Sequence, residues 1–160
     1  LSFQRHFAIG ASVWRELGFS GVLRGRYKWV GVDAAVGYSP YFLIVTDPCA
    51  NVLLDGSVRV SVSALGFLVE EAEVSHGFRV GGIYDDFFGW GGMVGYQIEA
   101  TLNEYFVLAA GAGLQAFPLG HEKASRHAAA QCGAAGTGGL VPLTPNLHWY
   151  LGMTLFFYPF

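Results

Sequence analysis

The chain has 160 residues and a net charge of −3; 52% of the residues are apolar, 16% aromatic and only 13% charged. Soluble domains carry charge at about a quarter of their positions, so this composition argues against an ordinary soluble surface. Its mild acidity gives no reason to expect nucleic acid as a partner. The length suits one domain over residues 1–160.

No stretch of about 20 residues combines a helical pattern with freedom from charge, proline and glycine clusters, so membrane-spanning helices are not expected. The apolar residues are instead spread by alternation, which is the signature of strands. Phe7, Ile9, Ala11 and Val13 alternate with His6, Ala8, Gly10, Ser12 and Trp14, giving strand one over residues 4–15. A turn around Glu16–Ser20 leads to strand two, Val22–Tyr27, with Leu23, Gly25 and Tyr27 on one face and Arg24 and Arg26 on the other. Lys28 marks a tight turn, and strand three runs from Trp29 to about Tyr41, setting Val30, Val32, Ala34, Val36 and Tyr38 against Gly31, Asp33, Ala35, Gly37 and Ser39. Thr46–Asn51 is turn chemistry. Strand four, about 53–68, places Val58, Val60, Val62 and Ala64 opposite Ser57, Arg59, Ser61 and Ser63, and Glu70–Glu73 is a charged connection.

Strand five, about 77–84, sets Phe78, Val80 and Tyr84 against Arg79 and Gly81, and Asp85-Asp86 turns the chain into strand six, Phe87–Leu102. There Phe88, Trp90, Val94, Tyr96, Ile98 and Ala100 are expected outward, opposite Gly89, Gly91, Gly95, Gln97 and Glu99. After a turn at Asn103-Glu104, strand seven covers Tyr105–Phe117, and residues 118–144 form the one long irregular stretch. The last strand carries Trp149, Leu151, Met153, Leu155 and Phe157 on one face, with His148, Tyr150, Gly152, Thr154 and Phe156 between them. Eight strands of roughly 9–11 residues use about 80–90 residues and leave the rest for connections.

Alternation alone does not say which face is outside. One face holds the bulk: Val, Leu, Ile, Phe, Trp and Tyr. The other holds Arg24, Arg26, Asp33, Arg59, Arg79, Gln97 and Glu99, with His6 and His148, padded by Gly, Ser and Ala. An eight-stranded barrel has room inside only for side chains, so the bulky face is expected outside, towards lipid, and the charged face inside. Isolated buried ions are costly, so the lumen is expected to hold an Arg–carboxylate network. Arg24, Arg26, Arg59 and Arg79 face Asp33 and Glu99, a surplus of two positive charges. Trp29, Trp90 and Trp149 suit interfacial anchors, whereas Trp14 and Phe117 suit lumen filler as well.

On these residues the chain resembles the small eight-stranded outer-membrane β-barrel proteins of Gram-negative bacteria, in the manner of the OmpA transmembrane domain and OmpX. Leu151–Phe157 looks like the terminal signal read by the barrel-assembly machinery, with Trp149, Leu151, Met153, Leu155 and Phe157 alternating and either Phe157 or Phe160 as the final aromatic. The resemblance implies an all-β, eight-stranded antiparallel up-and-down transmembrane β-barrel with both termini in the periplasm. It also implies contact with outer-membrane lipid and lipopolysaccharide, and a signal peptide upstream of Leu1 is expected. In that topology Cys49 and Cys132 fall in loops on the same, outer side; a disulfide between them, two unpaired cysteines and pairing to another chain all stay open.

Motifs for chemistry are weak. His121-Glu-Lys-Ala-Ser125 lacks the second histidine of a zinc-protease helix. Gly111-Ala-Gly113-Leu-Gln-Ala116 lies in an alternating strand, where a dinucleotide fingerprint does not work. Ser75, His76 and Glu73 would be the candidates for a lipid-modifying hydrolase, sitting together in a turn. The expectation is therefore a barrel without catalytic, metal or cofactor residues, acting as a scaffold or docking to another envelope protein. The alternatives are a lipid A- or phospholipid-modifying enzyme, a narrow porin-like channel and a soluble lipocalin-like carrier.

Overall fold

The computed structural model describes residues 6–14, 18–43, 53–70, 73–86, 88–120 and 147–159. Its elements are β1 (Phe7–Trp14), β2 (Gly18–Tyr27), β3 (Val30–Leu43), β4 (Leu53–Glu70), β5 (Val74–Asp85), β6 (Gly89–Thr101), β7 (Phe106–Ala116) and β8 (Leu147–Phe157). Each strand pairs antiparallel with its chain neighbour, and the sheet closes into a barrel in the order β1 to β8. Closure is made by β1 against β8, in register from Ile9 opposite Phe157 to Trp14 opposite Gly152. The fold is thus the all-β, eight-stranded up-and-down barrel expected from the alternation.

Several boundaries differ from the expectation by a residue or more, and three places have an evident physical reason. The first turn is shorter because Gly18, at φ 60°, enters β2 directly and pairs with Trp14. β5 starts at Val74 rather than residue 77, since Ser75 and His76 pair on both sides, with Glu70 and Val69 of β4 and with Glu99 and Ile98 of β6. A bulge between Phe67 and Val69 lets β4 keep that pairing. Phe88 was expected outward and is instead buried. It precedes β6, and Gly89 at φ 83° resets the direction of the chain, so strand parity does not extend back across the turn.

Within the strands the polarity is the one anticipated. Val62 is 54% exposed and Leu151 59%, whereas their chain neighbours Ser61, Ser63, Tyr150 and Gly152 are buried. The lumen is nevertheless less polar than expected, because Phe67, Phe117, Tyr150, Phe156 and Tyr158 are buried in it. Glycines make the room. Gly95 and Gly113 lie in one cross-strand row with Tyr150, and a β-carbon at Gly113 would stand 2.7 Å from Tyr150 Cζ. Gly10 sits opposite Phe156 on the closing strands; a β-carbon there would meet Phe156 Cδ1 at 2.8 Å.

Burial of one such aromatic contributes about 1.5–3 kcal/mol, and that gain requires the neighbouring position to be bare. Gly10→Ala is therefore expected to destabilise the barrel by about 1–3 kcal/mol in urea unfolding. Its cost should shrink in a Phe156→Leu background, where the clashing ring is absent. Equal costs in both backgrounds would show that Phe156 is not what excludes a side chain at position 10.

Candidate functional site

Strand parity delivers the polar residues to the interior, and register decides which of them meet. Arg24 on β2 is opposite Asp33 on β3. The guanidinium fork closes on that carboxylate twice, Nε donating to Oδ1 and Nη2 to Oδ2, each at 2.7 Å. Its Nη1 donates to Glu99 Oε1. Since β2 and β6 stand on opposite walls of the ring of strands, this bond crosses the lumen. The guanidinium carbon also lies 3.8 Å from the centroid of the Phe156 ring. Arg24, Asp33 and Glu99 are at most 2% exposed, so water does not screen them.

Around this node the other groups fill the remaining valences. Arg26 Nη1 donates to Glu99 Oε2 at 3.4 Å, and its guanidinium lies 3.8 Å over Phe67. Gln97 Nε2 donates to Glu99 Oε1. Arg79 Nε donates to Ser63 Oγ at 2.7 Å. Near the β5–β6 connection, Arg59 pairs with Asp85. The other carboxylate oxygen of Asp85 accepts the Phe88 N–H at 2.9 Å, and the Phe117 ring centroid is 6.0 Å from the Arg59 guanidinium carbon. Charge-assisted bonds of this kind are about twice as strong as neutral ones, which suits them to offset burial.

The structure places Arg24, Arg26, Asp33, Arg59, Arg79, Gln97 and Glu99 inside the barrel, and ties four of them (Arg24, Asp33, Glu99 and Arg26) into one cluster with Gln97. Asp85 was assigned to a turn and is instead the last residue of β5, fully buried against Arg59. Continuing the inward parity of Arg79, Gly81 and Ile83 by one step would have reached it. Counting Asp85, four arginines face three carboxylates among the described residues, so the expected surplus of two positive charges falls to one.

The outward set Trp149, Leu151, Met153, Leu155 and Phe157 is exposed along β8, while Phe160 lies outside the described residues. Cys49 and Cys132 also lie outside them, as do His121 to Ser125. Gly111 and Gly113 are in β7, as the alternation required.

The hydrolase candidates do not assemble. Ser75 is buried on the inner face of β5. His76 faces outward, hydrogen-bonded to Tyr96, and Glu73 is exposed before the strand. Among the described residues no group of three or more His, Cys, Asp or Glu side chains is placed to hold a metal ion. No protein-family model matches the chain, and no curated protein matches it. Within the described residues, what the geometry offers is a lumen cross-braced by ion pairs.

Removing one member of a buried ion pair strands its partner, at about 3–5 kcal/mol. Glu99→Gln is expected to cost that much in urea unfolding, because Arg24 and Arg26 both lose a carboxylate. Glu73→Gln, on the exposed connection, should stay within about 0.5 kcal/mol of the parent.

Proposed function

We propose that the chain is an integral β-barrel of a Gram-negative outer membrane whose role is structural or interactive rather than catalytic. The observation that carries this reading is the distribution of charge. None of the described outward strand side chains is Lys, Arg, Asp or Glu, while Arg24, Asp33, Arg59, Arg79, Asp85 and Glu99 are all buried within the barrel. Outside stand Ile9, Val32, Val62, Val80, Leu151 and Met153, each about half exposed. Soluble monomers rarely expose a continuous apolar patch larger than about 300–600 Å²; an apolar band running round a closed barrel suits hydrocarbon.

Closure supports the same reading. A sheet without edges satisfies its own backbone hydrogen bonds, which is the condition for strands to cross a bilayer. Exposed aromatics stand near both ends of the barrel: Tyr27, Trp29 and Tyr105 beside the connections at the end that carries residue 6 and residue 159, Phe19, Tyr38 and Trp90 towards the other. Such belts suit the two interfaces. In this role the partners are lipopolysaccharide and phospholipid, the assembly machinery that reads the last strand, and another envelope protein seated on the outer surface. A catalytic role lacks an assembled nucleophile and base among the described residues. A channel role is disfavoured by the Arg24–Glu99 bond across the lumen and by the buried rings of Phe156 and Tyr158.

The barrel is expected to need detergent or lipid for solubility and to migrate faster in gels unheated than boiled. Val62→Arg, on the outer face near the middle of β4, should cost about 2–4 kcal/mol when the protein is folded in a bilayer. A barrel that stays monodisperse without detergent and tolerates Val62→Arg would be a soluble carrier instead. In planar bilayers the protein should pass no steady current; a stable conductance would restore the channel reading.

A further inference from the structure

The connection between β2 and β3 is two residues long, Lys28 and Trp29, with Tyr27 and Val30 paired at its base. Lys28 is the only non-glycine residue with positive φ among the described residues, at 50°. Glycine, asparagine and aspartate are the usual occupants of such a position, because a β-carbon there is crowded. Backbone strain of this kind persists where surrounding structure over-determines it, and it concentrates at functional sites.

The turn is held from three sides. Arg26 Nε donates to the Lys28 carbonyl at 3.3 Å, the Phe67 N–H donates to the Trp29 carbonyl at 2.8 Å, and the Arg26 N–H donates to the His6 carbonyl at 2.9 Å. Arg26 itself is stacked on Phe67. A lysine is thus fixed at a tip where glycine, asparagine or aspartate is the usual occupant.

Its surroundings suggest what the ammonium is for. Lys28 makes no ion pair among the described residues; its Nζ lies 5.4 Å from the Tyr27 ring centroid. The His6 ring stacks on the other side of this corner, 6.2 Å from Tyr27. Tyr27, Trp29 and Val30 are all more than half exposed, on the outer face. The described carboxylates of the same rim, Glu73 and Glu104, belong to the β4–β5 and β6–β7 connections.

We infer that the β2–β3 turn is a binding site for the headgroup phosphate of an anionic phospholipid at the terminus end of the barrel. Lys28 supplies the charge, and Tyr27 and Trp29 lie against the glycerol and upper acyl region. The inference rests on the membrane reading above. A protein carboxylate would satisfy the ammonium equally well, but exposed aromatic and aliphatic side chains on both sides of the turn favour a ligand with a charged head and an apolar body.

The test compares wild type with Lys28→Gly and Lys28→Asn, both of which accept the left-handed backbone. Each protein is folded into mixed phosphatidylcholine–phosphatidylglycerol vesicles, released into mild detergent and weighed by native mass spectrometry. Wild type is expected to retain phosphatidylglycerol in preference to phosphatidylcholine. That preference should fall about fivefold in both variants, with urea midpoints equal to or above that of wild type. An unchanged preference in well-folded variants overturns the site, and so does a wild-type preference abolished by inorganic phosphate. Failure of the wild type to insert into vesicles, seen as absence of the heat-modifiable band, overturns the membrane reading and this site with it.

Discussion

Everything in this molecule depends on β8 finding β1. Until Ile9 to Trp14 pair with Gly152 to Phe157, both strands are edges with unpaired N–H and C=O groups. Once they pair, the sheet has an inside of fixed size and no remaining edge. Period two then gives each strand one inward and one outward set. The small interior forces the large aliphatic side chains outward, and the closed ladder is what makes an apolar exterior tolerable in a bilayer.

The interior poses the opposite problem. Ionised groups taken out of water cost several kcal/mol each unless their partners are well placed. Here register supplies the partners: Arg24 opposite Asp33, and Arg59 opposite Asp85, are cross-strand neighbours. Glu99 then joins Arg24 and Arg26 from the far wall. This long-range bond depends on the whole ring being closed, so lumen electrostatics and barrel closure reinforce each other. The aromatic filling depends on closure in the same way, because Phe156 of β8 occupies the space left bare by Gly10 of β1.

Much of this was legible in the sequence because strand parity is a local property. Once Leu23 and Tyr27 are put outside, Arg24 and Arg26 follow inside without knowledge of any other strand. Parity fails at turns. Asp85 reads as turn chemistry beside Asp86 but ends β5, and Phe88 has the parity of β6 although Gly89 breaks the phase between them. Volume was the other blind spot. Tyr150 and Phe156 are large residues at inward positions of a narrow lumen. Their counterparts Gly95, Gly113 and Gly10 are in the sequence, but only the register between paired strands shows that Gly95 and Gly113 stand in the row of Tyr150 and Gly10 in that of Phe156. Ser75 and His76 illustrate the reverse: neighbours in sequence, they are separated by the sheet itself.

Whether the apolar face meets lipid decides the membrane proposal. Trp149 reports on it, being 51% exposed on the outer face of β8. A variant keeping Trp149 as its only tryptophan, with Trp14, Trp29 and Trp90 changed to Phe, would be folded into phospholipid vesicles. Its fluorescence should be quenched strongly by lipids brominated on the upper acyl carbons and only weakly by aqueous acrylamide. Efficient quenching by acrylamide with none from the brominated lipid would mean that this face meets water, which contradicts an integral membrane barrel.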